Sequence, residues 1–209
     1  MRTFTAAALI LLISFFMSFY FYPQMPEEIA IHWNLSGEPD SYTPKLLGVF
    51  LMPIFSSILL LFFLIIPKID PLKQNIQIFR KYYDWFIVLM IGFFFYLHLI
   101  ILLWNSGMRF SMVQAFAPAF ALLFYYCGVL VENAKRNWFI GIRTPWTLSS
   151  EKVWDKTHKL GGKLFKMVGL IALLGIFFEG YAVVFLIVPV IIVAFYLIIY
   201  SYFEYQKEE

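Results

Sequence analysis

The residues of this chain best suited to chemistry fall in two stretches. The first is 23–45. There His32, Trp33 and Asn34 lead into turn-forming residues at Gly37, Pro39 and Asp40. Ile29, Ile31 and Trp33 alternate with Ala30 and His32, the signature of a short strand. Asn34 to Gly37 and Glu38 to Asp40 carry turn chemistry. Glu27, Glu28, Glu38 and Asp40 stand against Lys45, so the stretch is acidic. An acidic loop with exposed aromatic and aliphatic side chains can engage a cationic or apolar peptide. The other reading is a capped loop lying on a membrane, with Trp33 as its interfacial anchor.

The second stretch is 132–163, which holds Asn137, Gly141, Arg143, Thr144, Pro145, Trp146 and Trp154. Gly141 can take dihedral angles closed to other residues, while Pro145 fixes its own φ and holds Thr144 extended. Arg143 offers a planar, five-donor head that can stack on Trp146 or Trp138, or clamp backbone carbonyls or a carboxylate. Ser149 is the expected N-cap of a following helix, with Glu151 in its first turn. That helix is amphipathic. Val153, Thr157, Leu160 and Leu164 share one face, flanked by Trp154, and Asp155, Lys156, Lys159 and Lys163 share the other. It is expected to lie along a membrane interface, either as an elbow that seats the next helix or as a docking surface for a partner.

No catalytic set emerges, so no enzyme is expected. A zinc-protease His-Glu-x-x-His, a P-loop, a Gly-x-Ser-x-Gly elbow and a dinucleotide fingerprint are all absent. His98 lies inside an apolar stretch and reads as a hydrogen-bonded packing residue; a proton relay or metal site would need a second partner at that depth. His32, His98 and His158 are assigned to three different levels and cannot share one metal ion. The single cysteine, Cys127, excludes an intrachain disulfide and a cysteine-based metal cluster. Neither metal nor cofactor is expected.

The elements that must position these stretches follow from composition. Of 209 residues, 62% are hydrophobic and 14% charged, against roughly 45–50% and about 25% in a soluble domain. That excludes disorder and an ordinary soluble enzyme. A membrane-crossing helix needs about 20 apolar residues. Stretches of that kind occur at 5–22, 46–66, 85–104, 111–131 and 181–203. A weaker one, charge-free only over 167–178, reaches spanning length if it begins near Leu160 with Lys163 and Lys166 snorkelling. Its glycines, among them Gly161, Gly162, Gly169 and Gly175, suit a closely packed inner helix.

The expected fold is therefore an all-α, polytopic membrane helical bundle of six transmembrane helices forming one integral membrane domain over 1–209. Residues 1–84 supply an N-terminal pair of helices with an outer loop at 23–45 and an inner loop at 67–84. Residues 85–209 supply four helices with an inner loop at 132–163. With both termini inside, thirteen Lys and Arg lie on the inner side and two on the outer, so the positive-inside rule makes both termini cytoplasmic in the cell membrane. Basic residues beside helices need no nucleic acid to explain them, and none is expected to bind directly.

Two motifs carry a family resemblance. Pro26-Glu-Glu-Ile-Ala-Ile-His32-Trp-Asn-Leu-Ser-Gly37-Glu-Pro-Asp40 resembles the signature of a prokaryotic membrane domain of unknown function, with Ala30 in place of the usual proline. Gly141-Ile-Arg-Thr-Pro-Trp-Thr-Leu-Ser-Ser-Glu-Lys-Val-Trp154, preceded by Asn137, resembles the SdpI family. The resemblance implies a polytopic immunity protein. It would protect its cell from a secreted, hydrophobic, sporulation-delaying peptide toxin and hold a cytosolic transcriptional repressor at the membrane when toxin is bound. On that reading the partners are membrane lipids, an extracellular peptide toxin and a cytosolic repressor. The candidate binding residues are His32, Trp33, Asn34, Gly37, Pro39 and Asp40 outside, and Asn137, Gly141, Arg143, Thr144, Pro145, Trp146 and Trp154 inside. The competing expectation is a small transporter or exporter of an amphiphilic peptide or lipid-like compound, which would need facing polar groups at mid-membrane.

Overall fold

A computed structural model describes residues 2–34 and 37–208. The expected turn at 34–37 is seen at its two ends, and Leu35 and Ser36 lie outside the described residues. The chain runs α1 (Arg2–Phe21), β1 (Glu28–Trp33), β2 (Pro39–Pro44), α2 (Lys45–Ile69), α3 (Lys73–Ile78), α4 (Arg80–Asn105), α5 (Met112–Asn133), α6 (Pro145–Ser149), α7 (Glu151–Ala172) and α8 (Ala182–Gln206). Among the described residues, five helices are long and apolar enough to cross a membrane: α1 with its following turn, α2, α4, α5 and α8. The described residues are thus all-α but for one two-stranded antiparallel sheet, β1 with β2. Leucine, isoleucine and phenylalanine cover the outer faces of α1, α2 and α8, as expected of helices whose solvent is hydrocarbon.

The weak span takes a different form from the other five. Ser150, not Ser149, caps α7, accepting a hydrogen bond from the Val153 N–H at 3.2 Å. Ser149 is used inside α6, where its hydroxyl donates to the Pro145 carbonyl at 2.7 Å. The one-residue shift arises because Pro145–Ser149 forms its own helical turn, closed by a reciprocal cap between Thr144 and Thr147. From Ser150 the amphipathic stretch and the glycine-bearing stretch form one unbroken helix, α7, followed by a 3-10 turn at Leu173–Ile176.

α7 packs most extensively against α5. The seam is small residues. A Cβ on Gly128 would stand 2.6 Å from the Gly162 carbonyl oxygen, and one on Gly169 would stand 2.6 Å from the Ala121 carbonyl oxygen. Gly175 continues the line beside Ala117. Backbones this close admit no side chain, which is how small residues join helices without a hydrophobic drive between them. At one level of the seam Lys166 pairs with Glu132.

The packing sorts the connections to two ends of the bundle. The β-hairpin, the end of α4 and the start of α5 cluster at one end through Met25, Ile29, Trp33, Val49, Leu102 and Met112. The 134–150 elbow, α3, the start of α7 and the last turns of α8 gather at the other. The two chemistry-bearing stretches therefore lie at opposite ends.

Candidate functional site

At the hairpin end, Asn34 and Gly37 make the turn. The Asn34 side chain accepts from the Glu38 N–H at 3.0 Å, and Gly37 takes φ +78°, a left-handed conformation that suits glycine. Pro39 opens β2 opposite Trp33, and register shifts follow Ala30 and His32. Those irregularities bring His32 against Asp40: the imidazole Nδ1 donates to Asp40 Oδ1 at 2.5 Å. Both side chains are exposed.

The apolar residues of β1 are not exposed, contrary to the expectation for this loop. Ile29 and Ala30 are fully buried and Trp33 is 8% exposed. The reason is that α2, α4 and α5 offer them an apolar wall built of Val49, Ile100, Ile101, Leu102 and Met112. Ile29 meets Gly48, where a Cβ would stand 2.5 Å from its own Cβ. Trp33 packs edge-on against Trp104 at 5.3 Å, and Arg109 covers Trp104 from 4.0 Å. Asn105 fixes the strand edge: its amide accepts from the Ala30 N–H at 2.9 Å and donates to the Ala30 carbonyl at 3.1 Å. No sequence signal singled out Asn105, because its partner lies far along the chain. Replacing Asn105 with leucine leaves both buried Ala30 groups unpaired, at about 1–3 kcal/mol each. Faster amide exchange at Ala30, with unchanged exchange in α5, is the expected result; unchanged exchange at Ala30 would deny Asn105 this anchoring role.

Beside the hairpin a cavity of about 460 Å³ opens between β1, α5 and α8. His32, Trp33, Asn34 and Asp40 form its rim, and Val113, Phe116, Phe120, Val183, Leu186 and Ile187 its walls. The structure thus brings four of the six outer candidates to one cavity, while Gly37 and Pro39 shape the turn above it.

The elbow is built from satisfied polar groups. Asn137 is fully buried; its amide donates to the Lys135 and Ile140 carbonyls and accepts from the Phe139 and Ile140 N–H groups, all at 2.7–2.9 Å. The Trp138 N–H donates to Asp70 Oδ2 at 2.9 Å, tying the elbow to the end of α2. Of the options open to Arg143, its guanidinium takes a backbone carbonyl, that of Trp138, at 2.7 Å. Thr144 meets Ser201 of α8 at 3.0 Å, and Trp146 stacks edge-on against Tyr202 at 5.2 Å. Lys156 reaches Glu204 at 2.6 Å.

Beneath the elbow, Trp154 and His158 stack at 3.8 Å, each 1% exposed. The Trp154 indole donates to the Ala134 carbonyl at 2.8 Å. His158 Nε2 faces the Ile142 N–H at 3.0 Å, and Nδ1 faces the Trp154 carbonyl at 2.9 Å. A backbone N–H can only donate and a carbonyl only accept, so the ring is neutral, with its proton on Nδ1. Burial lowers its pKa to about 4, opposed by the Trp154 carbonyl and by the charge of Asp155. Gly141 arches over this ring at φ +110°, with the place of a Cβ only 2.4 Å from His158 Nε2.

Of the inner candidates, Asn137, Thr144 and Trp154 are buried, Gly141 and Trp146 half-buried, and Arg143 and Pro145 exposed. Trp138 is exposed beside Arg143. His98 is fully buried in the bundle. Ser18 spends its proton on the Val49 carbonyl at 2.9 Å, so His98 Nε2 donates to the Ser18 oxygen at 3.0 Å. That contact joins α1, α2 and α4.

Residues 133–201 match the SdpI/YfhL protein family, and residues 9–56 match a domain of unknown function, DUF1648. The SdpI resemblance is borne out. The SdpI/YfhL match contains the elbow from Asn137 through α7 and most of α8, and the second match contains the hairpin motif. The chain is similar along nearly its whole length to the immunity protein SdpI of Bacillus subtilis (strain 168), at 28% identity over 200 residues, 95% of this chain and 94% of that protein. No solved structure matches the chain.

Proposed function

We propose that this protein is a membrane immunity protein, non-enzymatic, that protects its cell against a secreted hydrophobic peptide. The observation that carries this reading is the near full-length similarity to a protein named for immunity, which embraces both the hairpin and the elbow. On this reading the bundle crosses the cell membrane six times, α7 from about Leu160 onward supplying the fifth crossing and α8 the sixth. The antiparallel seam of α7 along α5, a helix long and apolar enough to span, supports that assignment. The hairpin end faces outward and the elbow and both termini face the cytosol, because the Lys and Arg residues concentrate around 68–81 and 135–163.

Toxin is sensed at the hairpin end. The exposed surface around Trp138, Arg143, Pro145 and the lysine face of α7 docks a cytosolic repressor when toxin is bound. Coupling of that kind needs two sites and a bundle with two packings, and α5 and α7 supply the element common to both ends. The test is to express the chain in cells sensitive to a hydrophobic peptide toxin and follow survival under challenge. Survival at toxin levels that kill vector-only cells is expected, with the peptide retained at the membrane. Equal killing, with the protein shown to be inserted, would overturn the immunity reading; protection with peptide accumulating outside the cells would replace retention by export.

A further inference from the structure

We infer that the acidic C-terminal turn is a built-in occupant of the docking face on α7: Glu204 and Glu208 cover Lys152 and Lys156, and a protein partner docks by replacing them with carboxylates of its own at the same spacing. This rests on the docking role proposed above for the lysine face and assigns the chemistry of the partner.

The lysines form one row. Lys152, Lys156, Lys159 and Lys163 are spaced four, three and four residues apart, which sets them along a single face of α7. The end of the chain lies on the first half of that row. Glu204 bridges Lys156 at 2.6 Å and Lys207 at 2.5 Å, and its side chain is only 6% exposed. Glu208 stands 3.8 Å from Lys152 and accepts from the Ser150 hydroxyl at 2.6 Å, at the positive end of the α7 dipole, which favours a carboxylate. The two glutamates are four residues apart, as are the lysines they meet, and the order is reversed. The tail therefore runs antiparallel to α7. The second half of the row has no such cover: Lys159 and Lys163 are exposed and pair with no carboxylate among the described residues.

The tail is not what seats α8. One turn earlier Thr144 already meets Ser201, and Trp146 packs on Tyr202. Glu204 and Glu208 can lift from α7 while those contacts stay. Ion pairs near water are individually weak, so the tail can be exchanged for a partner whose acids reach all four lysines. A protein fits the row better than lipid phosphate does. From Lys152 to Lys163 the helix rises about 16 Å, whereas the headgroup layer of one leaflet is roughly 5–8 Å thick.

The experiment uses the full chain in phosphatidylcholine nanodiscs and a dye-labelled helical peptide. The peptide carries four glutamates at the spacing of the lysines, and a matched peptide carries glutamines. A tail seated about nine-tenths of the time lowers apparent affinity about tenfold. Glu204→Gln combined with Glu208→Gln should therefore bind the glutamate peptide about tenfold tighter than the native protein does. Acylation of Lys152 and Lys156 by an amine-reactive ester, read by mass spectrometry, should quicken in the same variant. Glu208→Gln alone, beyond the end of α8, should act in the same direction by a smaller factor, and it decides the matter should the double variant fail to fold. Adding Lys152→Gln and Lys156→Gln should cancel the gain. Equal binding by the native protein and the tail variants overturns the inference, and so does equal binding of the two peptides. If phosphatidylglycerol in the discs slows acylation of Lys152 and Lys156 in the tail variant, the row belongs to lipid headgroups and the inference falls. Survival under toxin, scored on the native chain, separates the two levels of argument. Protection without a tail effect removes the tail's role and leaves immunity standing. A tail effect without protection removes the immunity reading and leaves an acid-binding face.

Discussion

Gly141→Ala is expected to destabilise the elbow by roughly 4 kcal/mol, summing backbone strain at positive φ and loss of a buried hydrogen bond. Gly141 holds φ +110°, which L side chains rarely adopt, and its missing Cβ is where His158 Nε2 approaches to 2.4 Å. The ring cannot retreat. It is stacked on Trp154 on one side and bonded to the Trp154 carbonyl and the Ile142 N–H in its plane. The two contributions can be separated by a double-mutant cycle. In a His158→Ala background the added methyl meets no ring, so Gly141→Ala should cost only the backbone strain, about 1–3 kcal/mol. Unfolding midpoints in detergent give each leg of the cycle. Equal costs in the two backgrounds would mean that the histidine does not set the requirement for glycine.

Acidification is expected to weaken the same elbow through His158. Its pKa in the fold is about 4, lowered from the ordinary 6.5 by burial. The unfolded chain therefore takes up this proton first. The contribution is complete above about pH 6.5 and is lost as pH falls toward 4, reaching about 2 kcal/mol by pH 5 and about 3 kcal/mol at the lower limit. Protonation at Nε2 would also end its acceptance from the Ile142 N–H. Comparing unfolding free energies at pH 7.5 and 5 for the native protein and His158→Gln isolates this group from the other titrating residues. The native protein should lose about 2 kcal/mol more than the variant; identical pH dependence in both would remove His158 from the account.

These two expectations concern a motif whose residues the sequence marks as candidate contacts for a partner. The structure gives many of them internal work. Asn137 closes a tight loop on itself, Trp154 carries the stack under Gly141, and Thr144 reaches Ser201 in the last helix. Exposed at the elbow are Lys135, Trp138, Arg143, Pro145 and Ser149, with Lys152, Lys156, Lys159 and Lys163 along the exposed face of α7.

The hairpin gives the complementary case. Alternation at Ile29–Trp33 correctly indicated a strand, since β1 runs Glu28–Trp33. Alternation says that two faces differ, not which face finds a wall. Ile29 is buried because Gly48 leaves room for it, and Trp33 because Trp104 stands beside it. Ser149 and Ser150 show the same limit on a smaller scale: both are good caps, and only the turn at Pro145–Ser149 selects the second.

Local sequence is enough to mark the helices solvated by lipid, the strand in the first long connection, the amphipathic face of α7 and the resemblance to the SdpI family. Each is written in local periodicity, in runs of apolar residues, or in contiguous motifs, and lipid enforces the first by leaving a spanning backbone no other way to satisfy its hydrogen bonds. Tertiary structure alone decided that Asn105 pins Ala30, that Asp70 holds Trp138, that His158 is a neutral ring beneath Gly141, and that β1, α5 and α8 enclose a cavity. Those partners come from distant parts of the chain. Hydrogen bonds and close contacts between them depend on ångström-scale placement, which the packing of the bundle sets and no local pattern encodes.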